Sequence, residues 1–243
     1  MTRQKVRKSL IIVSFLLFPI TIFYFSPYLI VWGAAEGIIV GSFIVFFSLF
    51  IFSLLFGRLF CGWVCPAGGL QEIYLSVKDK KAKTGKYDWI KYFIWAPWIG
   101  SIIVLLIITG IKTVEFFFQI DYGISISNPQ SYIVYYFFVG LIVLLAHFAG
   151  KRAFCHYVCW MAPFMIIGNK IKSIFKWPSL HLAADSDKCI QCKLCSKVCS
   201  MSLEVNEMVQ KQSMYHSECI LCGECIDTCK QRVLKYSFGS QKN

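Results

Sequence analysis

The sequence predicts a mainly α-helical membrane protein: a four-helix transmembrane bundle made of a duplicated helix pair, followed by a small α+β domain organised by cysteines. Three observations predict this. Of 243 residues, 57% are hydrophobic and only 16% charged, against roughly 45–50% and 25% in soluble domains. The apolar residues collect in four long stretches. The twelve cysteines are all at or beyond Cys61, and eight of them crowd into residues 189–229. So little charge cannot clothe an ordinary soluble domain, and so much apolar content excludes intrinsic disorder.

The four stretches cover residues 10–31, 37–57, 93–111 and 131–150. A helix crosses the hydrocarbon core with about 20 apolar residues, so each is read as a span. Pro19 and Pro27 blur the first, and residues 26–36 could instead lie in the interface. Arg3, Lys5, Arg7 and Lys8 precede it like the n-region of a signal peptide, but the apolar run exceeds the roughly 7–15 residues of an h-region. An uncleaved anchor is expected. Basic residues set direction: Arg58, Lys78, Lys80, Lys81, Lys83, Lys86 and Lys91 follow the second span, Lys151 and Arg152 follow the fourth, and the opposite segments hold only Lys112. Both termini and the 58–92 loop are expected in the cytoplasm, with the chain multi-pass in the inner (plasma) membrane. The net charge of +12 is then read as basic residues lying against anionic lipid, and nucleic acid is not expected as a partner. Trp63, Tyr157 and Trp160 suit an interfacial belt.

The membrane part carries an internal repeat. Gly57-Arg58-Leu59-Phe60-Cys61-Gly62-Trp63-Val64-Cys65 recurs as Lys151-Arg152-Ala153-Phe154-Cys155-His156-Tyr157-Val158-Cys159. The shared pattern is Arg-x-Phe-Cys-x-aromatic-Val-Cys, and each copy follows a pair of spans. Two halves packed about an axis normal to the membrane bring Cys61, Cys65, Cys155 and Cys159 together at the cytoplasmic face. Spacing of i and i+4 puts both sulfurs of a pair on one helical face. Four thiolates suit a soft metal or an iron–sulfur cluster; spacing leaves a cluster, a copper ion or a dithiol open.

Cys189, Cys192, Cys195 and Cys199 form a CxxCxxCxxxC run, repeated by Cys219, Cys222, Cys225 and Cys229. This is the bacterial two-cluster ferredoxin spacing, in which the fourth cysteine of each run reaches the other cubane. Cys189, Cys192, Cys195 and Cys229 are thus assigned to one [4Fe–4S] cluster, and Cys219, Cys222, Cys225 and Cys199 to the second. Zinc sites use separated pairs instead. Ser200 and Lys230 stand where the pattern usually has Pro. The division expected is 1–176 for the four-span membrane domain and 177–243 for the ferredoxin-like domain, with Trp177-Pro178 at the boundary. So small a domain needs its clusters as staples.

With Cys61-Gly-Trp-Val-Cys65-Pro66, the following Gly-Gly-Leu-Gln-Glu72 and the two C-terminal runs, the chain resembles the polyferredoxin-like membrane proteins of the NapH type, with NosR-type and CcoG-type relatives. Cys159 is followed by Trp160, with Pro only at Pro163, so the second copy departs from the family's CxxxCP. The resemblance implies electron transfer between the quinone pool and a partner redox protein; the CcoG-type relatives imply copper reduction or assembly as an alternative. The expected cofactors are two [4Fe–4S] clusters, with a third cluster or a copper ion at the CxxxC pairs. The chain has four histidines, and only His147 lies in a span, so no bis-histidine haem can form. His147 and His156 could serve a quinone as bases, but read more simply as a helix-packing and an exposed histidine. No nucleophile–base pair or phosphate loop stands out; the chain reads as a redox relay, a subunit of a quinol dehydrogenase-like oxidoreductase, rather than a substrate-transforming enzyme.

Overall fold

The computed structural model describes residues 2–83, 85 and 87–240. The first apolar stretch is not one helix. Helix α1 (Arg3–Leu16) is followed by α2 (Phe18–Thr21) and a 3-10 turn (Ile22–Phe25), bent 59° from α1. Pro19, which lacks an N–H and crowds the preceding turn, sits at the break. Helix α3 (Pro27–Glu36) restarts with Pro27 in its first turn, where a missing N–H costs nothing, and with the Leu29 N–H donating to Ser26 Oγ at 3.4 Å. It stops at Gly37, whose φ of +78° suits glycine.

Strand β1 (Ile38–Val40) and helix α4 (Gly41–Phe56) replace the second predicted span. At 16 residues α4 is roughly 24 Å long, short of the roughly 30 Å core. Short helices α5 (Leu59–Trp63) and α6 (Pro66–Tyr74) follow. Helices α7 (Ile90–Thr109) and α8 (Pro129–Ala149) are both long and apolar enough to cross a bilayer. They present Ile107, Ile108, Ile133 and Phe137 outward. Between them, strand β2 (Thr113–Glu115) pairs in parallel with β1, Ile38 opposite Thr113. Helices α9 (Ala153–Tyr157) and α10 (Ala162–Ile174) repeat the α5–α6 pair. Gly168 of α10 lies against Ser53 of α4, and Gly69 of α6 against the Ile11 carbonyl of α1.

The C-terminal segment is an antiparallel pair, β3 (Ser179–Ala184) with β4 (Leu234–Gly239), enclosing helices α11 (Leu194–Val198), α12 (Val205–Gln210) and α13 (Glu224–Thr228). It does not stand apart. A single buried cluster runs from Ile30, Phe46 and Ile102 through Met165 to Met201, Ile220 and Leu221. Arg3 pairs with Asp227 at 2.6 Å, Lys81 with Glu204 at 2.9 Å and Arg58 with Glu218 at 2.8 Å. The N-terminus, the 58–91 loop and the C-terminal segment therefore share one end of the helices. The β1–β2 pair sits at the other, where α4 begins and α7 ends.

The basic residues correct one expectation. Arg7, Arg58, Lys91 and Arg152 do not lie against lipid: each is at most 1% exposed. Buried charge needs a partner. Glu72 takes Arg7 at 2.6 Å on one oxygen and Arg152 at 2.8 Å on the other, and Glu218 takes Arg58 and Lys91. Of the aromatics expected in the belt, Tyr157 is buried and donates to the Lys83 carbonyl, while the half-buried Trp63 and Trp160 donate to the carbonyls of Leu221 and Phe25.

Burial alone would raise the Glu72 carboxyl, but Arg152 and Arg7 pull it down to about 2. A carboxylate depressed from 4.5 stabilises the fold above its unfolded pKa and loses that contribution as pH falls toward 2, about 3 kcal/mol in all. Glu72→Gln should lower the thermal midpoint in detergent at pH 7. The gap from wild type should shrink as pH drops from 5 toward 3.

Candidate functional site

The two repeated turns have the same backbone geometry. Val64 and Cys65 N–H both donate to the Phe60 carbonyl, at 2.9 and 3.0 Å; Val158 and Cys159 N–H both donate to Phe154, at 3.0 and 2.9 Å. The helix ends at that shared carbonyl, so the two cysteines of a pair are not on one helical face as the spacing suggested. Cys61 lies in α5 and Cys65 caps α6; Cys155 lies in α9 and Cys159 precedes α10. Pro66 opens α6 and Pro163 sits in the first turn of α10, so the displaced proline of the second copy does the same job. The N–H three residues on, Gly68 or Ala162, hydrogen-bonds the Cys65 or Cys159 sulfur respectively.

All twelve cysteines line three cavities, four to each. Cys61, Cys65, Cys155 and Cys159 line one, with Arg58 and apolar walls from Phe18, Ile22, Phe138 and Trp160. Cys199, Cys219, Cys222 and Cys225 line the second. Cys189, Cys192, Cys195 and Cys229 line the third. Among the described residues no three Cys, His, Asp or Glu side chains converge as ligands of one bare ion do. Four sulfurs ringing a cavity instead fit a polynuclear cluster, whose ligands sit at separate corners.

The surroundings suit thiolates with iron. Burial pushes the Cys159 thiol up to about 12, as it does Cys199, and Cys65 well above its ordinary range. Thiolates there need compensating positive charge. Arg58 lines the first cavity and faces Cys61; its Nε and one Nη have no hydrogen-bond partner among the described residues. Gln71 Nε2 donates to Cys155 Sγ at 3.3 Å. Ser200, where Pro is usual, places its hydroxyl 3.7 Å from Cys222 Sγ.

The first cavity abuts the second. A Cβ on Gly62, between Cys61 and Cys65, would meet the Ile220 carbonyl at 2.4 Å. His156, the matching residue of the second copy, has its Nε2 3.1 Å from the Met201 carbonyl. Contrary to the reading of an exposed residue, His156 is fully buried and faces Asp88 at 3.3 Å. His147 meets the Tyr74 hydroxyl at 2.6 Å. Sequence reasoning missed Asp88 and Glu218 and saw Gln71 and Glu72 only as part of a family motif, without their partners; the arginines that need the two glutamates were visible as the first letter of each repeat.

Two helices apolar enough to cross a membrane and three cavities each ringed by four cysteines fit an iron–sulfur membrane protein, and the family comparisons give the same class. The 4Fe–4S binding domain family matches twice, over residues 38–84 and 132–178, and the 4Fe–4S dicluster domain family matches 181–230. An uncharacterized protein of Methanocaldococcus jannaschii is 30% identical, over 77% of this chain and 67% of its own length. Regulatory protein NosR of Stutzerimonas stutzeri is 28% identical over 74% of this chain, which covers only 25% of that protein. Ferredoxin-type protein NapH of Haemophilus influenzae is 22% identical, over 76% of this chain and 64% of that one. No solved structure matches the chain. The chain belongs to the polyferredoxin-like NapH/NosR family of 4Fe–4S membrane proteins.

Gly62→Ala should push α5 off the Ile220 carbonyl. Loss of iron and of the visible cluster absorption in purified protein is the expected result. Gly100→Ala, where a Cβ meets open space, should change neither.

Proposed function

We propose that the protein relays electrons between the quinone pool and a partner redox protein from the cytoplasmic face of the plasma membrane. In this reading α1 with its bent continuation, α4, α7 and α8 form the four-span unit, and residues 177–243 form the ferredoxin-like unit. Cys189, Cys192, Cys195 and Cys229 hold one [4Fe–4S] cluster. Cys219, Cys222, Cys225 and Cys199 hold a second. Cys61, Cys65, Cys155 and Cys159 hold a third. When bound, such clusters supply one-electron redox centres with potentials set by charge, hydrogen bonds and exposure.

The observation that carries the quinone part is the first cavity. It continues from the four cysteines along Phe23, Phe138 and Val134, and Val134 is 42% exposed on the outer side of α8. An apolar slot running from a sulfur-lined end to the lipid-facing surface suits a lipid-soluble carrier. The chain's own contribution is to keep that slot dry, to hold the sulfurs by the Gly68, Ala162 and Gln71 donors, and to offset their charge with Arg58.

A menaquinol or ubiquinol analogue should reduce the clusters of wild-type protein in nanodiscs, followed by bleaching of their visible absorption. Cys61→Ala with Cys155→Ala should abolish quinol reduction while dithionite still reduces the C-terminal pair. Quinol that never reduces wild-type protein, and quinone that never oxidises it, would refute the relay.

One observation favours a copper-handling second reading. Met165 Sδ lies 3.9 Å from Cys61 Sγ, and Met161 lines the same cavity; thiolate and thioether together suit Cu(I). That reading requires tight Cu(I) binding that the same double variant removes, with inorganic sulfide unchanged.

A further inference from the structure

The two CxxCxxCxxxC loops are internal copies 30 residues apart, yet their surroundings are opposite. The second is covered. Ile220 is 1% exposed and Leu221 6%. Trp63 donates to the Leu221 carbonyl at 3.1 Å, Gln4 to that of Cys222 at 3.0 Å and Arg3 to that of Gly223 at 3.4 Å. The first is bare. Ile190, the match of Ile220, is 66% exposed, and Cys192 is exposed where Cys222 is buried. Around its tip the first loop bonds within the C-terminal segment, Gln191 to Gln210 at 3.3 Å, and Lys151 of the membrane part reaches only its far end, at the Lys197 carbonyl 3.4 Å away.

Charge distinguishes the bare loop further. Lys193 occupies the position of Gly223, and both are left-handed, with φ of +58° and +73°. Glycine adopts that backbone freely; lysine is strained there. Lys193 and Lys230 line the same cavity as Cys189, Cys192, Cys195 and Cys229, and Arg232 is exposed beside them. Lys193, Lys230 and Arg232 have no ion pair among the described residues. The nearby acid Asp185 is already tied to Lys188 at 2.7 Å.

We infer that this face, Ile190 ringed by Lys193, Lys230 and Arg232, is the docking port for a soluble redox protein whose cofactor edge is rimmed with Asp and Glu. The inference rests on the relay reading, and it names the partner's chemistry. One copy of the loop is covered from within by the N-terminal helix and α5; the other presents the same apolar tip to a second body. Ile190 supplies the apolar centre of the contact and the three cations its charged rim, the division of labour general to such interfaces. At this face one electron passes between the cluster and the partner's centre, with no bond made or broken.

The test uses full-length protein with its clusters, in nanodiscs of zwitterionic lipid, reduced with stoichiometric dithionite. Stopped-flow absorption follows its oxidation by an acidic and by a basic c-type cytochrome of similar potential, both strong enough oxidants to react. The acidic cytochrome should react faster at low salt and slow down as salt rises. K193E/K230E/R232E should cut its rate at least about tenfold and speed the basic one, with iron content and EPR signals unchanged. Ile190→Ala should slow the acidic cytochrome without altering its salt slope. If the triple variant loses iron, R232E, at a residue outside the lining of the Cys189 cavity, carries the same test. A wild-type protein that prefers the basic cytochrome, or rates indifferent to charge reversal, would overturn the port. So would rates that depend on added anionic lipid instead, because the face would then lie on the bilayer. Missing clusters would instead count against the relay itself.

Discussion

Buried arginine is what the structure is built around. Each copy of the repeat begins with one, and neither Arg58 nor Arg152 reaches water. Leaving such a charge without a carboxylate costs about 3–5 kcal/mol, so the chain must deliver partners. Arg152, from the second half, takes Glu72 of the first; Arg58, from the first half, takes Glu218 beside Cys219. One pair ties the two halves together. The other ties the membrane part to the C-terminal segment. Because each arginine sits three residues before a cysteine, satisfying the charges also sets the sulfurs.

The same residues govern the chemistry. Four thiolates in an apolar cavity concentrate negative charge, and a low-dielectric setting makes each nearby cation count for more than it would in water. Arg58 faces the cavity while its carboxylate partner lies on the side of the second cysteine loop. Gly62 and His156 then close the gap between the sulfur-lined cavities, one by having no side chain and the other by reaching the Met201 carbonyl.

Much of this was legible in the sequence where the information is local. The CxxCxxCxxxC runs and the 94-residue repeat announce themselves by spacing, and α7 and α8 by length and composition. What stayed hidden is non-local. Arg7 and Glu72 are 65 residues apart, and Arg58 and Glu218 are 160 apart; a rule that reads basic residues as lipid-facing flanks cannot see such pairs. The i, i+4 reading of each cysteine pair failed because Phe60 and Phe154 each accept two N–H groups and end the helix between the cysteines. The first span was blurred at Pro19, where the chain bends, and the second is shorter than its apolar stretch because β1 takes its first residues into a strand that pairs with residues beyond α7.

We propose that the twelve cysteine sulfurs form three sets of four, each closed on a cubane. Anaerobic purification followed by iron and acid-labile sulfide determination, with Mössbauer spectra to identify cluster type, tests it most directly. Twelve iron and twelve sulfide per chain, all in [4Fe–4S] form, are expected. Eight of each, with Cys61, Cys65, Cys155 and Cys159 open to thiol reagents in the folded protein, would contradict it.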